Sequence, residues 1–197
     1  MNRPVAKPLY DDPVYHGAAD PVIIYNKHAK KWWMFYTNRR ATLPGENVTW
    51  VHGTKIGIAE SDNGREWKYV DTANINYRPD VGYTFWAPDI ILDGEIFHMY
   101  LTYVPGTFSN WSQPREIIHL ISKDLKNWHF QSVLPVGNHK VIDAEVVKIK
   151  DGHWRMWYNN ESDKKSIYYA DSEDLYHWKD KGKAFQSRGE GPEVFYW

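Results

Sequence analysis

Apolar and polar residues alternate along most of this chain in short runs broken by Gly, Pro, Asn and Asp, the period-two pattern of β-strands joined by tight turns. Residues 22–25, the polar turn 26–31 and residues 32–36 predict a hairpin, and residues 55–60 and 67–70 predict two more strands beyond a long loop at 38–53. The layout returns at 90–92, 97–103, 117–122 and 128–133, and again at 145–149, 154–158, 166–171 and from 178 onward. Asp93-Gly94 and Asp151-Gly152 each join two apolar runs, the strongest short signal for a two-residue hairpin. No stretch sustains a helical period, so helix is expected to be nearly absent. Residues 1–18, with three prolines and no clear period, read as an irregular lead-in.

The pattern repeats in detail. Ser61 and Trp67, Ser122 and Trp128, and Ser172 and Trp178 are each six positions apart with a turn-forming Asn or Asp between them. Upstream of each lies an aromatic-rich run, Met34-Phe35-Tyr36, Met99-Tyr100-Leu101 or Met156-Trp157-Tyr158. Upstream again, each unit opens on an acid, Asp20, Asp89 or Asp143, and a further opening begins at Glu190. A four-stranded unit with one recurring Trp-bearing turn describes a β-propeller better than a sandwich. The expected fold is all-β and five-bladed in architecture, in one partial domain over 1–197. Its blades are expected at about 20–80, 89–135 and 143–185, with 190–197 as the first strand of a fourth. An open arc of three blades would expose the apolar faces that blades bury on one another, so a piece of a larger ring is expected, ring closure by oligomerisation being the alternative.

Composition narrows the partners. Lys and Arg number 24 against 25 Asp and Glu, for a net charge of −1, which gives no electrostatic basis for nucleic acid or an anionic membrane. Aromatic content is 16%, with 11 Trp and 14 Tyr, more than a core of this size needs, leaving some rings for a neutral ligand. The absence of Cys excludes disulfides and thiol chemistry. Residues 1–15 lack an apolar leader core and no segment reaches the roughly 18 apolar residues of a membrane span. Compartment stays open between cytoplasmic and a secreted or periplasmic protein whose leader has been removed, and so does oligomeric state.

The opening acids suggest chemistry. In a propeller the first strand of each blade lines the central channel, so Asp20, Asp89, Asp143 and Glu190 are expected to converge. Crowded carboxylates cannot all ionise together, and a pair with one protonated member is the apparatus of glycoside hydrolysis. Ala19-Asp20-Pro21, Trp86-Ala87-Pro88-Asp89, Ile142-Asp143-Ala144 and Glu190-Gly191-Pro192, in this order over nearly the whole chain, resemble the blade-opening motifs of glycoside hydrolase family 43 and its five-bladed relatives. The resemblance implies an inverting glycosidase on plant-type poly- or oligosaccharides, arabinofuranosidase- or xylosidase-like. In it Asp20 is the general base, Glu190 the general acid, and Asp143 the group that positions Glu190 and keeps it protonated. Inversion implies a base-to-acid carboxyl separation of about 6.5–9.5 Å.

The chain departs from that pattern in places. The third motif has Ala144 where Pro is usual, followed by a further acid, Glu145, which shares the modulator assignment with Asp143. Glu193 follows Glu190 and is expected on the opposite strand face. Asp89, Trp86, Glu145 and His16 are the expected substrate contacts, Trp86 by stacking on a sugar face. An Asn-Asp-Pro opening and an Arg-Asp-Pro motif, expected of a fructan enzyme, are absent. The nine His show no metal-ligand spacing, so no metal or cofactor is assigned, with a channel Ca²⁺ left open. A non-catalytic carbohydrate-binding propeller or an inactive fragment is the alternative reading, and a protein-interaction propeller the least favoured.

Overall fold

The computed structural model describes residues 7–195. Among the described residues thirteen strands form three sheets. The first contains β1 (Ala18–Asn26), β2 (Lys31–Asn38), β3 (Lys55–Ser61) and β4 (Lys68–Thr72) in sequential antiparallel order. The second contains β6 (Thr84–Asp93), β7 (Ile96–Val104), β8 (Glu116–Ser122) and β9 (Asn127–Val133), with β5 (Asn74–Asn76) added parallel to β9. The third contains β10 (Val141–Lys150), β11 (His153–Asn160), β12 (Ser166–Ser172) and β13 (Trp178–Arg188). The only helical segments among the described residues are two 3₁₀ turns, Thr49–Val51 and Glu161–Asp163. These are three blades of a β-propeller, and β5 is a departure from the expected four strands. The linker leaving the first blade crosses over to close the outer edge of the second, Asn74 Nδ2 donating to Asn127 Oδ1 at 2.8 Å. Of residues 190–197, expected to open a fourth blade, 196–197 lie outside the described residues and 190–195 form no β-ladder. They instead lie against the third blade.

The Ser–Trp repeat is one turn built three times. Ser122 Oγ accepts the backbone N–H of Asp124 and Leu125, and Asp124 Oδ1 accepts those of Lys126 and Asn127. Ser172 with Asp174, and Ser61 with Asn63, make the same four bonds. The third residue after each Ser takes a left-handed conformation, at Gly64 (φ 70°), Leu125 (φ 63°) and Leu175 (φ 65°). Both leucines are fully buried, and their carbonyls accept the indole N–H of Trp128 and Trp178. Gly64 offers no such side chain, and Trp67 is only partly buried.

Apolar packing lies between neighbouring blades. Phe35, Ile56 and Ile58 of the first blade share a core with Phe97, Met99, Leu101 and Trp128 of the second. Tyr100 and Ile117 of the second share another with Val146, Met156, Tyr158 and Leu175 of the third. Full burial of each such side chain stabilises by about 1.5–3 kcal/mol. The lead-in is tied down by Asp12, whose buried carboxylate accepts the Tyr36 hydroxyl, Asn38 Nδ2 and the N–H of Val14 and Tyr15.

Candidate active site

Each blade's first strand carries a β-bulge at the same place. The register of β1 on β2 breaks between Ala19 and Val22, of β6 on β7 between Trp86 and Asp89, and of β10 on β11 between Ile142 and Glu145. The first bulged residue is left-handed every time, at Asp20 (φ 51°), Ala87 (φ 44°) and Asp143 (φ 56°), and Gly191 (φ 55°) matches it in the fourth opening. Such φ values cost non-glycine residues about 1 kcal/mol or more and cluster where a side chain must be aimed. The equivalent positions are therefore Asp20, Ala87, Asp143 and Gly191. The expected equivalence of Asp89 with Asp20 is two positions out of step.

The bulges divide the acids between two cavities, each of about 680 Å³. Asp20, Asp143 and Gly191 border both. Residues just before the bulge, Trp86, Ile142 and Glu190, line the first cavity together with Arg39, Trp111, Arg115, Glu161 and Lys165. Residues two positions after it, Asp89, Glu145 and Glu193, line the second, which runs along the first strands as the central channel. Glu193 thus parts from Glu190, as alternation suggests, while Asp143 and Glu145 are separated by the bulge rather than sharing one strand face.

Asp20, Asp143 and Glu190 meet in the first cavity. The Asp20 carboxylate accepts from Thr37 Oγ1 at 3.1 Å and from Arg39 Nη2 at 3.1 and 3.3 Å. Asp143 Oδ2 accepts the N–H of Gly191 at 3.3 Å, fixing the backbone beside Glu190. Burial first, and then the charges of Asp20 and Glu190, together push the Asp143 carboxyl up to about 7 against the lowering effect of the Gly191 hydrogen bond. Glu190 itself is ion-paired with Lys165.

Three second-strand residues hold the blade openings together, and no motif announced them. Thr37 Oγ1, besides donating to Asp20, accepts the N–H of Ala87 at 2.8 Å. Thr102 Oγ1 accepts the N–H of Asp143 at 3.2 Å, and Asn159 Nδ2 donates to the Gly189 carbonyl at 2.9 Å. All three are buried and stand three residues after Met34, Met99 and Met156. That spacing was a signal available in the repeat itself.

The remaining assignments divide. In the channel, Asp89 is buried and its Oδ2 accepts the N–H of Val146 at 2.7 Å. Burial pushes Asp89 up to about 7 and Glu145 up to about 8, with Glu193 repelling both and Asp89 repelling Glu145. Among the described residues no group of three or more His, Cys, Asp or Glu is arranged to hold a metal ion. Trp86 borders the cavity at 8% exposure, its Nε1 donating to the Val51 carbonyl at 2.6 Å. His16 is not brought to the site. It is exposed on the lead-in, paired with Asp11 at 2.6 Å, and borders neither cavity.

The model of a probable glycosyl hydrolase domain, related to family 43, matches residues 3–197. The chain belongs to that glycosyl hydrolase domain family. Two uncharacterized proteins from strains of Mycobacterium tuberculosis are 27% identical over 164 residues, which is 76% of this chain and 50% of each relative. The chain therefore spans about half the length of the curated relatives it matches. Among solved structures it resembles a thermostable family-43 glycoside hydrolase (TM-score 0.62, 20% identity, 90% of this chain and 57% of that one). It resembles an endo-arabinase from Bacteroides thetaiotaomicron (TM-score 0.61, 19% identity, 86% and 56%). It also resembles a family-32 β-fructofuranosidase from Bombyx mori (TM-score 0.68, 21% identity, 91% and 37%). At these identities the likeness establishes the propeller fold.

Proposed function

We propose that the protein is a glycosidase that cleaves O-glycosidic bonds of neutral plant-type oligo- or polysaccharides, of the arabinofuranosidase or xylosidase kind, with inversion. Asp20 takes a proton from the attacking water, and Glu190 gives one to the leaving oxygen. The observation that carries this reading is the meeting of Asp20, Asp143 and Glu190, from three different blade openings, around one cavity. Asp20 is oriented for the base role by Thr37 and Arg39 on its carboxylate. Asp143 suits the positioning role better than Glu145, because it borders the cavity with Glu190 and holds the neighbouring amide, whereas Glu145 lines only the channel. The Lys165 contact must give way for a leaving-group oxygen to reach Glu190.

Each of the two proton transfers contributes roughly 10²–10⁴-fold to the rate. The test is hydrolysis of aryl arabinofuranosides and xylosides, in a chain extended to its relatives' full length, by the unaltered protein and by Asp20→Asn and Glu190→Gln. The expected result is a loss of that size in kcat for each variant, and release of the opposite anomer by ¹H NMR. Undiminished turnover in either variant contradicts its role, and a retained anomer contradicts a water-activating Asp20.

A further inference from the structure

We infer that Trp111 is a rigid stacking platform for a ring of a neutral glycan at the mouth of the first cavity, and that anionic sugars are disfavoured there; the inference rests on the glycosidase reading. Trp111 is 52% exposed and borders the cavity, and the buried part of its ring is packed against other side chains. Trp86 and His52 each lie 6.1 Å away between ring centroids, and the Arg115 guanidinium sits 5.9 Å from its centroid. A half-exposed aromatic ring beside a polar cavity offers the apolar surface on which the apolar face of a sugar ring packs.

The platform is held in place rather than mobile on its loop. Arg115, 3% exposed, donates to the carbonyls of Trp111 at 2.9 Å and Gln113 at 3.0 Å, and its Nε pairs with Glu161 of the third blade at 3.1 Å. The same guanidinium lies 5.6 Å from the Trp86 ring, so one buried cation fastens the loop to both the cavity wall and the next blade. Phe108 packs over Gly106, whose φ of 135° and close approach to that ring admit no side chain. A platform fixed before binding loses little entropy when a ligand arrives.

The charge of the cavity argues for the class of ligand. Its three cations are committed to three carboxylates, Arg39 to Asp20, Arg115 to Glu161 and Lys165 to Glu190. The fourth carboxylate, Asp143, accepts the Gly191 amide and shares the field of Lys165, the cation already paired with Glu190. A uronate or sulfate would have to break one of these pairs and sit among carboxylates, whereas a neutral hydroxylated ring meets hydrogen-bonding groups and an aromatic face.

The test measures binding by calorimetry with neutral trisaccharides of arabinose, xylose, mannose, galactose and fructose, and with trigalacturonate as the anionic comparator. The proteins are the extended chain, Trp111→Ala, Trp111→Phe and, as an exposed Trp remote from the cavity, Trp32→Ala. At least one neutral trisaccharide should bind, about ten-fold more weakly to Trp111→Ala, with most affinity kept by Trp111→Phe and all of it by Trp32→Ala. Equal affinity in Trp111→Ala, binding of trigalacturonate as tight as the best neutral sugar, or no binding by any of the five overturns the inference. Hydrolysis that depends on Asp20 and Glu190 but has the same KM in Trp111→Ala defeats the platform and leaves the glycosidase reading standing. Trp111-dependent binding without hydrolysis does the reverse.

Discussion

At the residue scale, the site depends on side chains serving two partners at once. The Thr37 hydroxyl donates to the Asp20 carboxylate and accepts the Ala87 amide, so it ties the first acid to the second blade. Thr37→Val keeps the shape and removes both bonds, leaving the Ala87 N–H without its acceptor at a cost of about 1–3 kcal/mol. Denaturant unfolding should register that loss. Because Asp20 also loses an orienting bond, kcat should fall by roughly 10–100-fold with little change in KM. A variant with unaltered kcat would show that Thr37 only joins blades. Thr102→Val should unmoor the Asp143 amide in the same way, with a similar stability loss.

At the scale of the element, the recurring turn stabilises through buried leucine as much as through hydrogen bonds. Leu175 is fully buried in a left-handed conformation and its carbonyl also accepts the Tyr100 hydroxyl of the neighbouring blade at 2.7 Å. Leu175→Ala should cost about 2–5 kcal/mol by leaving a cavity between blades, and Ser172→Ala about 1–3 kcal/mol by orphaning two amides. Urea melts of the two variants test the order. Strands and turns such as these were legible in the sequence, because alternation, Asp-Gly pairs and the Ser–Trp spacing are local signals. The bulge was not, because it adds a residue without a fixed side chain and reverses the alternation after it. That is why Asp89 read as the partner of Asp20, when Pro21, Pro88 and Pro192 after the left-handed residue mark the true alignment of Asp20, Ala87 and Gly191. Arg39, Trp111, Arg115 and Lys165 were equally hidden. Their roles come from contacts across loops and blades that no sequence spacing encodes.

At the scale of the whole molecule, the arc concentrates carboxylates on its inner surface, and its stability should depend on pH accordingly. The folded values of about 7 for Asp89 and about 8 for Glu145 lie above the ordinary 3.8 and 4.5. Between those limits the folded chain holds protons that the unfolded chain has released, so stability is greatest at the acid end and declines as pH rises toward 8. Thermal melts from pH 5 to 9 should show the fall, and Glu145→Gln should flatten it. Convergence of the openings also predicts that acids on different blades sense one another, which ¹³C NMR titration of the Asp143 carboxyl measures directly. In the unaltered protein Asp143 should titrate near 7, and in Asp20→Asn it should move down toward the ordinary carboxylate range without reaching it, because burial remains. An Asp143 that titrates near 3.8, or that ignores the loss of the Asp20 charge, would contradict a site assembled from three blade openings.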